Sequence, residues 1–403
     1  MASTPAHNPP WLFSILISPS GFTNGVTSIL MPFLLRKYGV PIEQIAGVVA
    51  IANTPMIWYF LWSPLADAGL RRRTCIVLSA LISGLAGAVA ILCVHGSLAW
   101  LTVLLFLMNA FTGLLASCCG ALLTTLPGYL HGRAAGWYQA GQLGAGAIGG
   151  GAVIWLADNV TLPVLALSIA AATMLPTLAA FLIIEPAPVR RPIGAQISGL
   201  FHDMRAVLLA RRTWIGLMFF LSPVGSAAIS NLVSGVGQDY HTSSTVVLWV
   251  TGFGSGILSA IGSLIGGMAA DRMNRMYGYA LAGALAALPA AYLALGPATP
   301  WTYGAGYSAY ALSTGFAYAV YTALLLDVVG RRKHAAASAY STLNASGNVP
   351  IAYMTWLDGV GYKHWGARGL MGTDAVANGG FAVVLLVVAM FARRYWGKQT
   401  AEE

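Results

Sequence analysis

Two aspartates close apolar stretches in matching surroundings. Asp67 ends Ser63-Pro64-Leu65-Ala66-Asp67 and is followed by Arg71, Arg72 and Arg73; Asp271 ends Gly267-Met268-Ala269-Ala270-Asp271 and is followed by Arg272 and Arg275. If those stretches are helical, each carboxylate sits at the negative end of its own helix dipole, where it is disfavoured. Such an acid needs a partner elsewhere, either an arginine of the same loop or the N-terminus of a neighbouring helix. A second pattern is aromatic. Tyr303, Tyr307, Tyr310, Thr314, Tyr318 and Tyr321 step by three or four, which at about 100° per residue gathers them within an arc of about 80° on a helix. That face could hold a ligand by stacking and neutral hydrogen bonds, or it could serve packing alone.

Small polar groups recur elsewhere: Ser20, Asn24, Thr27 and Ser28; Asn109 and Thr112; Ser222, Ser226 and Ser230. Residues of this kind also bring helices together. Asp158, Asp327 and Asp358 fall close to the ends of apolar stretches, where capping competes with proton relay, and all other charged residues likewise map to ends or loops. No paired ionisable groups or metal-type constellation suggests an enzyme. Cys75, Cys93, Cys118 and Cys119 lie in apolar stretches without histidine at metal spacing, and read as buried thiols. The glycines at 136, 141, 144, 146 and 149–151 suit close helix approach, since no strand precedes them to form a phosphate loop.

The elements that carry these groups follow from composition. Only 8% of the 403 residues are charged and 57% are hydrophobic, with mean hydropathy +0.72; a soluble domain carries roughly a quarter charged residues. The apolar residues fall in blocks long enough to cross a ~30 Å hydrocarbon core. They predict an all-α membrane protein with twelve helices, near 12–36, 42–66, 74–95, 98–127, 133–158, 160–184, 212–238, 244–270, 275–295, 299–327, 333–358 and 373–395. The first block lacks a basic flank and is too long for a cleavable signal peptide. With both termini cytoplasmic, every lysine and arginine except Arg36, Lys37, Lys363 and Arg368 falls on the cytoplasmic side, Arg190, Arg191, Arg331, Arg332 and Lys333 among them. That asymmetry sets topology and explains the net charge of +9 without a nucleic-acid partner.

The chain also repeats. Ser18-Pro19-Ser20-Gly21 returns as Ser222-Pro223-Val224-Gly225 at the offset that relates Asp67 to Asp271, and Tyr138 and Gln142 match Tyr340 and Asn344. Two pseudo-symmetric halves follow, 1–184 and 212–403, joined by a cytoplasmic linker, 185–211. The linker opens with Glu185, Pro186, Pro188 and Pro192. It continues with Ile193, Ile197, Leu200, Phe201, Met204 and Leu208 at amphipathic helical spacing.

These loops and this repeat resemble the major facilitator superfamily, whose signature loop has a small residue four positions before the acid and basic residues after it. The first copy departs from it in Ser63 and Ala68, the second in Asn274. The resemblance implies a transporter of alternating access, with Asp67, Arg71, Arg72, Asp271, Arg272 and Arg275 latching the cytoplasmic side. It also implies a central cavity lined by helices 1, 4, 7 and 10. On that basis the expected substrate contacts are Asn24, Asn109, Tyr310, Thr314, Tyr318 and Tyr321, with Tyr138, Gln142, Tyr340 and Asn344 flanking them, and Asp327 as a candidate for proton coupling.

The stretches Phe60-Leu61-Trp62-Ser63-Pro64-Leu65-Ala66-Asp67 and Gly132-Arg133-Ala134-Ala135-Gly136-Trp137-Tyr138-Gln139-Ala140-Gly141 are similar to the AmpG-type branch of muropeptide permeases, acetyl-coenzyme A carriers and siderophore permeases. This implies proton-linked import of a bulky amphiphilic metabolite across a bacterial inner membrane by a lipid-embedded monomer, with no cofactor and no metal. A drug or metabolite exporter of the same fold is the alternative, followed by a membrane signal protein or a membrane enzyme.

Overall fold

A computed structural model describes residues 7–67, 71–185, 193–330 and 335–396. Ala68, Pro186, Pro188, Arg190, Arg191, Pro192, Arg331, Arg332 and Lys333, named above, lie outside the described residues. The elements are helices, and no strand occurs among the described residues.

The first span is α1 (Leu12–Gly25), a wider π turn over Val26–Leu30, and α2 (Met31–Lys37). The second comprises α3 (Ile42–Asn53) and short turns ending in Pro64–Asp67. Then come α4 (Arg72–Leu92), α5 (Leu98–Leu123), α6 (His131–Asn159) and α7 (Leu162–Met174), which tightens into a 3-10 turn over Leu175–Leu182. The linker carries α8 (Ile193–Leu209), which exposes Phe201, Leu208 and Leu209 while Val207 is buried.

The second half begins with α9 (Arg211–Phe220), which ends ahead of Pro223; beyond that proline Gly225 and Ala227 take positive φ of 75° and 52°. It continues through α10 (Ser255–Arg272), α11 (Arg275–Leu295), α12 (Pro300–Val329), α13 (Ala336–Ser346) and α14 (Asn348–Trp396). The last of these turns back at Trp365 and Gly366, the latter at φ 62°.

Among the described residues, nine helices are long and apolar enough to cross a membrane. The run Ala336–Ala392 counts once although it reverses at Gly366, and the break around Pro223 interrupts the seventh span.

Two compact units emerge: Met1–Pro127 with Gly141–Arg205 and Arg331–Ala345, and Gly128–Ala140 with Ala206–Gly330 and Ser346–Glu403. The first is centred on Leu30, Leu34, Ile91, Leu105, Met108 and Ile169, contributed by the first span and by α4, α5 and α7. Its α1 crosses α6 backbone to backbone: a Cβ on Gly21 would lie 2.0 Å from the Gln142 carbonyl oxygen. The second unit is centred on Val233, Tyr240, Leu293, Tyr303, Tyr307, Tyr310 and Met371. There α10 meets α12 as closely, since a Cβ on Gly262 would lie 1.9 Å from the Leu312 carbonyl oxygen.

Candidate functional site

Within the first unit, the acid left at the end of its own helix finds the start of another. Asp67 accepts hydrogen bonds from the amides of Ala337 (3.1 Å) and Ser338 (2.9 Å) and from the Ser338 hydroxyl (2.8 Å). Those amides are free donors of the first turn of α13, and the positive helix end favours a carboxylate there. Burial pushes the Asp67 carboxyl above the usual carboxylate range, against the pull of these donors and of Arg72.

The second unit repeats the arrangement. Asp271 accepts from the amides of Gly132 (2.7 Å) and Arg133 (3.0 Å) at the start of α6, and from Arg133 Nε (3.1 Å). Close approach makes this possible. A Cβ on Gly267, the small residue four positions before the acid, would lie 2.5 Å from the Gly132 carbonyl oxygen.

Around Asp271 the charges form a network. Arg275 donates to the carbonyls of Gly128 (2.6 Å) and Ala270 (3.3 Å) and to Asp327, and lies 3.9 Å from Asp271; His131 Nδ1 lies 3.5 Å from Asp327. Asp327, expected as a coupling candidate, is thus ion-paired beside the latch. Arg72 donates to the Ala121 carbonyl, while Arg71 and Arg272 are exposed. Sequence reasoning missed Glu185. Its carboxylate accepts from the amides of Arg72 (2.7 Å) and Arg73 (3.4 Å), capping α4. An acid just after an apolar stretch was the available signal, but nothing local says which helix it serves.

The expected lining residues divide by exposure. In the first unit Asn24 and Ser28 are exposed, Asn53 donates to Ser28 (3.4 Å), and Gln142 is half-buried. Asn344 donates to the Tyr59 hydroxyl (2.7 Å). Asn109, by contrast, is fully buried and its amide nitrogen reaches Thr27 (3.0 Å), the Ala52 carbonyl (2.9 Å) and the Leu105 carbonyl (3.1 Å). It ties three elements together and lines nothing in this structure. Tyr340 is likewise buried, its ring against Gly120.

In the second unit the tyrosine face turns inward. Tyr303, Tyr307 and Tyr310 belong to the core, Tyr138 and Thr314 are buried, and Tyr321 packs on Phe220 and Tyr279. Tyr318 alone of the six is half-buried. The shared face is real, but most of it meets neighbouring helices, because the stripe fixes a direction and not what lies in that direction.

The expectation of an interior free of acids also needs correction. Asp358 and Asp374 are both fully buried in the second unit, with the Tyr310 hydroxyl donating to Asp374 (3.4 Å). A last helix beginning at 373 puts Asp374 at a helix end; the reversal at Gly366 puts it well inside. Grooves of about 590 and 270 Å³ flank this reversal, the larger lined by Trp365, Arg368, Gly369, Gly372 and Thr373, the smaller by Asp239, Tyr240 and Arg368.

Apolar helices of membrane length, with two acids each seated on the start of another helix, describe an integral membrane protein. The chain belongs to the Major Facilitator Superfamily, whose profile matches residues 13–354. It is an integral membrane protein with the twelve-helix, two-half fold of that family, and a transporter rather than an enzyme. A comparison with proteins of curated function returned no match.

Among solved structures, it is similar to the E. coli fucose:proton symporter FucP (15% identity, 95% of this chain and 98% of that chain, TM-score 0.70). It is also similar to the proton:xylose symporter XylE (11%, 96% and 96%, TM-score 0.71). The human organic anion transporter MFSD10 (TETRAN) is a third such structure (16%, 94% and 97%, TM-score 0.69). At these identities the likeness is one of fold.

Proposed function

We propose that the chain is a proton-linked secondary transporter that imports a bulky, partly polar metabolite, of muropeptide or siderophore type, by alternating access. The observation that carries the alternating-access part is the pair of latches. Asp67 on the start of α13 and Asp271 on the start of α6 are reversible contacts, each made by one acid and a few amides. Contacts of this size can hold one conformation and still release on the timescale of a transport cycle. Proton linkage draws support from the fold's occurrence in the fucose and xylose symporters. The substrate class draws on the AmpG-type stretches at 60–67 and 132–141.

Among the expected substrate contacts we propose Asn24 and Gln142 within the first unit, where Asn344 donates to Tyr59, and separately Tyr318 within the second. Asp67, Arg72, Asp271 and Arg275 form the gates. The setting we propose is a bacterial inner membrane, with a monomer whose termini face the cytoplasm.

Purified protein in liposomes, offered muropeptides, siderophores and acyl-coenzyme A compounds with and without an inward proton gradient, tests this. One class should accumulate, and only with the gradient. Accumulation without the gradient would remove the proton; movement of none of the three would remove the substrate class.

A further inference from the structure

The reversal of α14 brings two acids together in the second unit. Its arms touch backbone to backbone, a Cβ on Gly369 lying 2.2 Å from the Gly361 carbonyl oxygen, and beyond that contact stand Asp358 on one arm and Asp374 on the other. Both are fully buried, and the Asp374 charge acts on Asp358. Asp374 has two side-chain donors, the Tyr310 hydroxyl at 3.4 Å and Asn378 Nδ2 at 3.1 Å. Asp358 has none: both its oxygens are buried and without a hydrogen-bond partner, as is Asn378 Oδ1.

Around Tyr310, α12 offers Tyr307 and Tyr318; α14 itself offers Asn378; and Asn231, from the segment after α9, donates to Thr355 one turn from Asp358. Tyr362, one turn the other way, donates to Asp239. Among the described residues no arginine, lysine or histidine acts on either carboxyl.

Two carboxylates buried together without a cation cannot both stay ionised, and an orphaned acceptor pair in low dielectric favours taking up a proton. We propose that Asp358 and Asp374 bind one proton between them, with Tyr310 and Asn378 positioning Asp374, so that the site takes up and releases a proton during the cycle. The proton comes from water in the groove whose floor includes Thr373, the residue before Asp374, and adds to a carboxylate oxygen. The pair forms no covalent bond with anything else. This role rests on the proton-linked reading above, although the occupancy of the site does not.

Infrared difference spectroscopy of the full chain in liposomes reads the proton itself. The wild type should show the carbonyl stretch of a protonated carboxyl at neutral pH, and the double variant Asp358→Asn with Asp374→Asn should lack it. Asp358→Asn alone leaves Asp374 with two donors and no like charge, so the band should appear only at about tenfold higher proton concentration. Tyr310→Phe should shift the band without removing it.

A wild type with no such band at neutral pH overturns the proposal whatever the variants do. So does a band that survives in the double variant, or one that sodium at fixed pH removes, which would make the occupant a metal cation. None of these outcomes depends on finding a substrate. A failed transport panel therefore leaves this site standing, and a failed band leaves the transporter standing.

Discussion

Asp271→Asn should loosen the start of α6 by a calculable amount. The carboxylate accepts three hydrogen bonds, from the Gly132 amide, the Arg133 amide and Arg133 Nε. Asparagine keeps one acceptor oxygen, so it can retain the Gly132 bond and must turn an NH2 toward Arg133. The lost Arg133 amide bond to a charged acceptor is worth about 1.5 kcal/mol. Removing the charge from a helix start forfeits ~0.3–1 kcal/mol more. The ion pair with Arg133 adds little, because that arginine is 57% exposed. The total, about 2 kcal/mol, is roughly a thirtyfold shift in the latched-to-open ratio.

Hydrogen exchange of the full chain in liposomes checks this directly. The amides of Gly132 and Arg133 should exchange on the order of thirtyfold faster in the variant, while those of Ala337 and Ser338, held by Asp67, should not change. Unaltered protection at Gly132 would refute the helix-cap account, because it would mean that the carboxylate was not holding those donors.

Three further outcomes follow from the same geometry. Gly262→Ala drives a Cβ into the Leu312 backbone, and overpacking of this kind costs about 1–3 kcal/mol; the purified variant should melt earlier, and an unchanged melting temperature would contradict the close approach of α10 and α12. Asn109→Ala removes the buried donor shared by Thr27, Ala52 and Leu105, a loss of about 1–3 kcal/mol; stability should fall while preference among transported substrates stays the same, and a changed preference would return Asn109 to the lining. Asp327→Asn should alter transport rate through its Arg275 contact yet leave uphill accumulation intact; accumulation abolished with counterflow retained would make it the coupling acid after all.

The sequence reading succeeded where a local rule forced a distant consequence. A carboxylate at the wrong end of its own helix dipole must have a partner, and for Asp67 and Asp271 the partner is another helix start. The repeat of Ser-Pro and Asp motifs was equally readable, since duplicated spacing survives divergence. The tyrosine face failed in one respect: periodicity tells that Tyr303, Tyr307 and Tyr310 look the same way, but both a cavity and a packed core satisfy it. Asp374 failed for a different reason. Helix ends are poorly marked in continuous apolar sequence, and a start set too late moves a buried acid to a helix end. Glu185 caps a helix whose first residue is far away along the chain, so no window of sequence contains both partners.

The two latches also bear on ancestry. Each repeat carries an acid that its own helices do not satisfy: Asp67 of the first is satisfied by α13 of the second, and Asp271 of the second by α6 of the first. A half-length chain with one such acid and one such helix start would close on a second copy of itself through two identical contacts. Duplication and fusion would make that symmetric pairing permanent and then free its two sides to diverge. Divergence is visible here. One contact has kept neutral donors from Ala337 and Ser338, whereas the other has accumulated Arg133, Arg275, Asp327 and His131. Salt therefore ought to weaken one contact more than the other, although both descend from the same geometry.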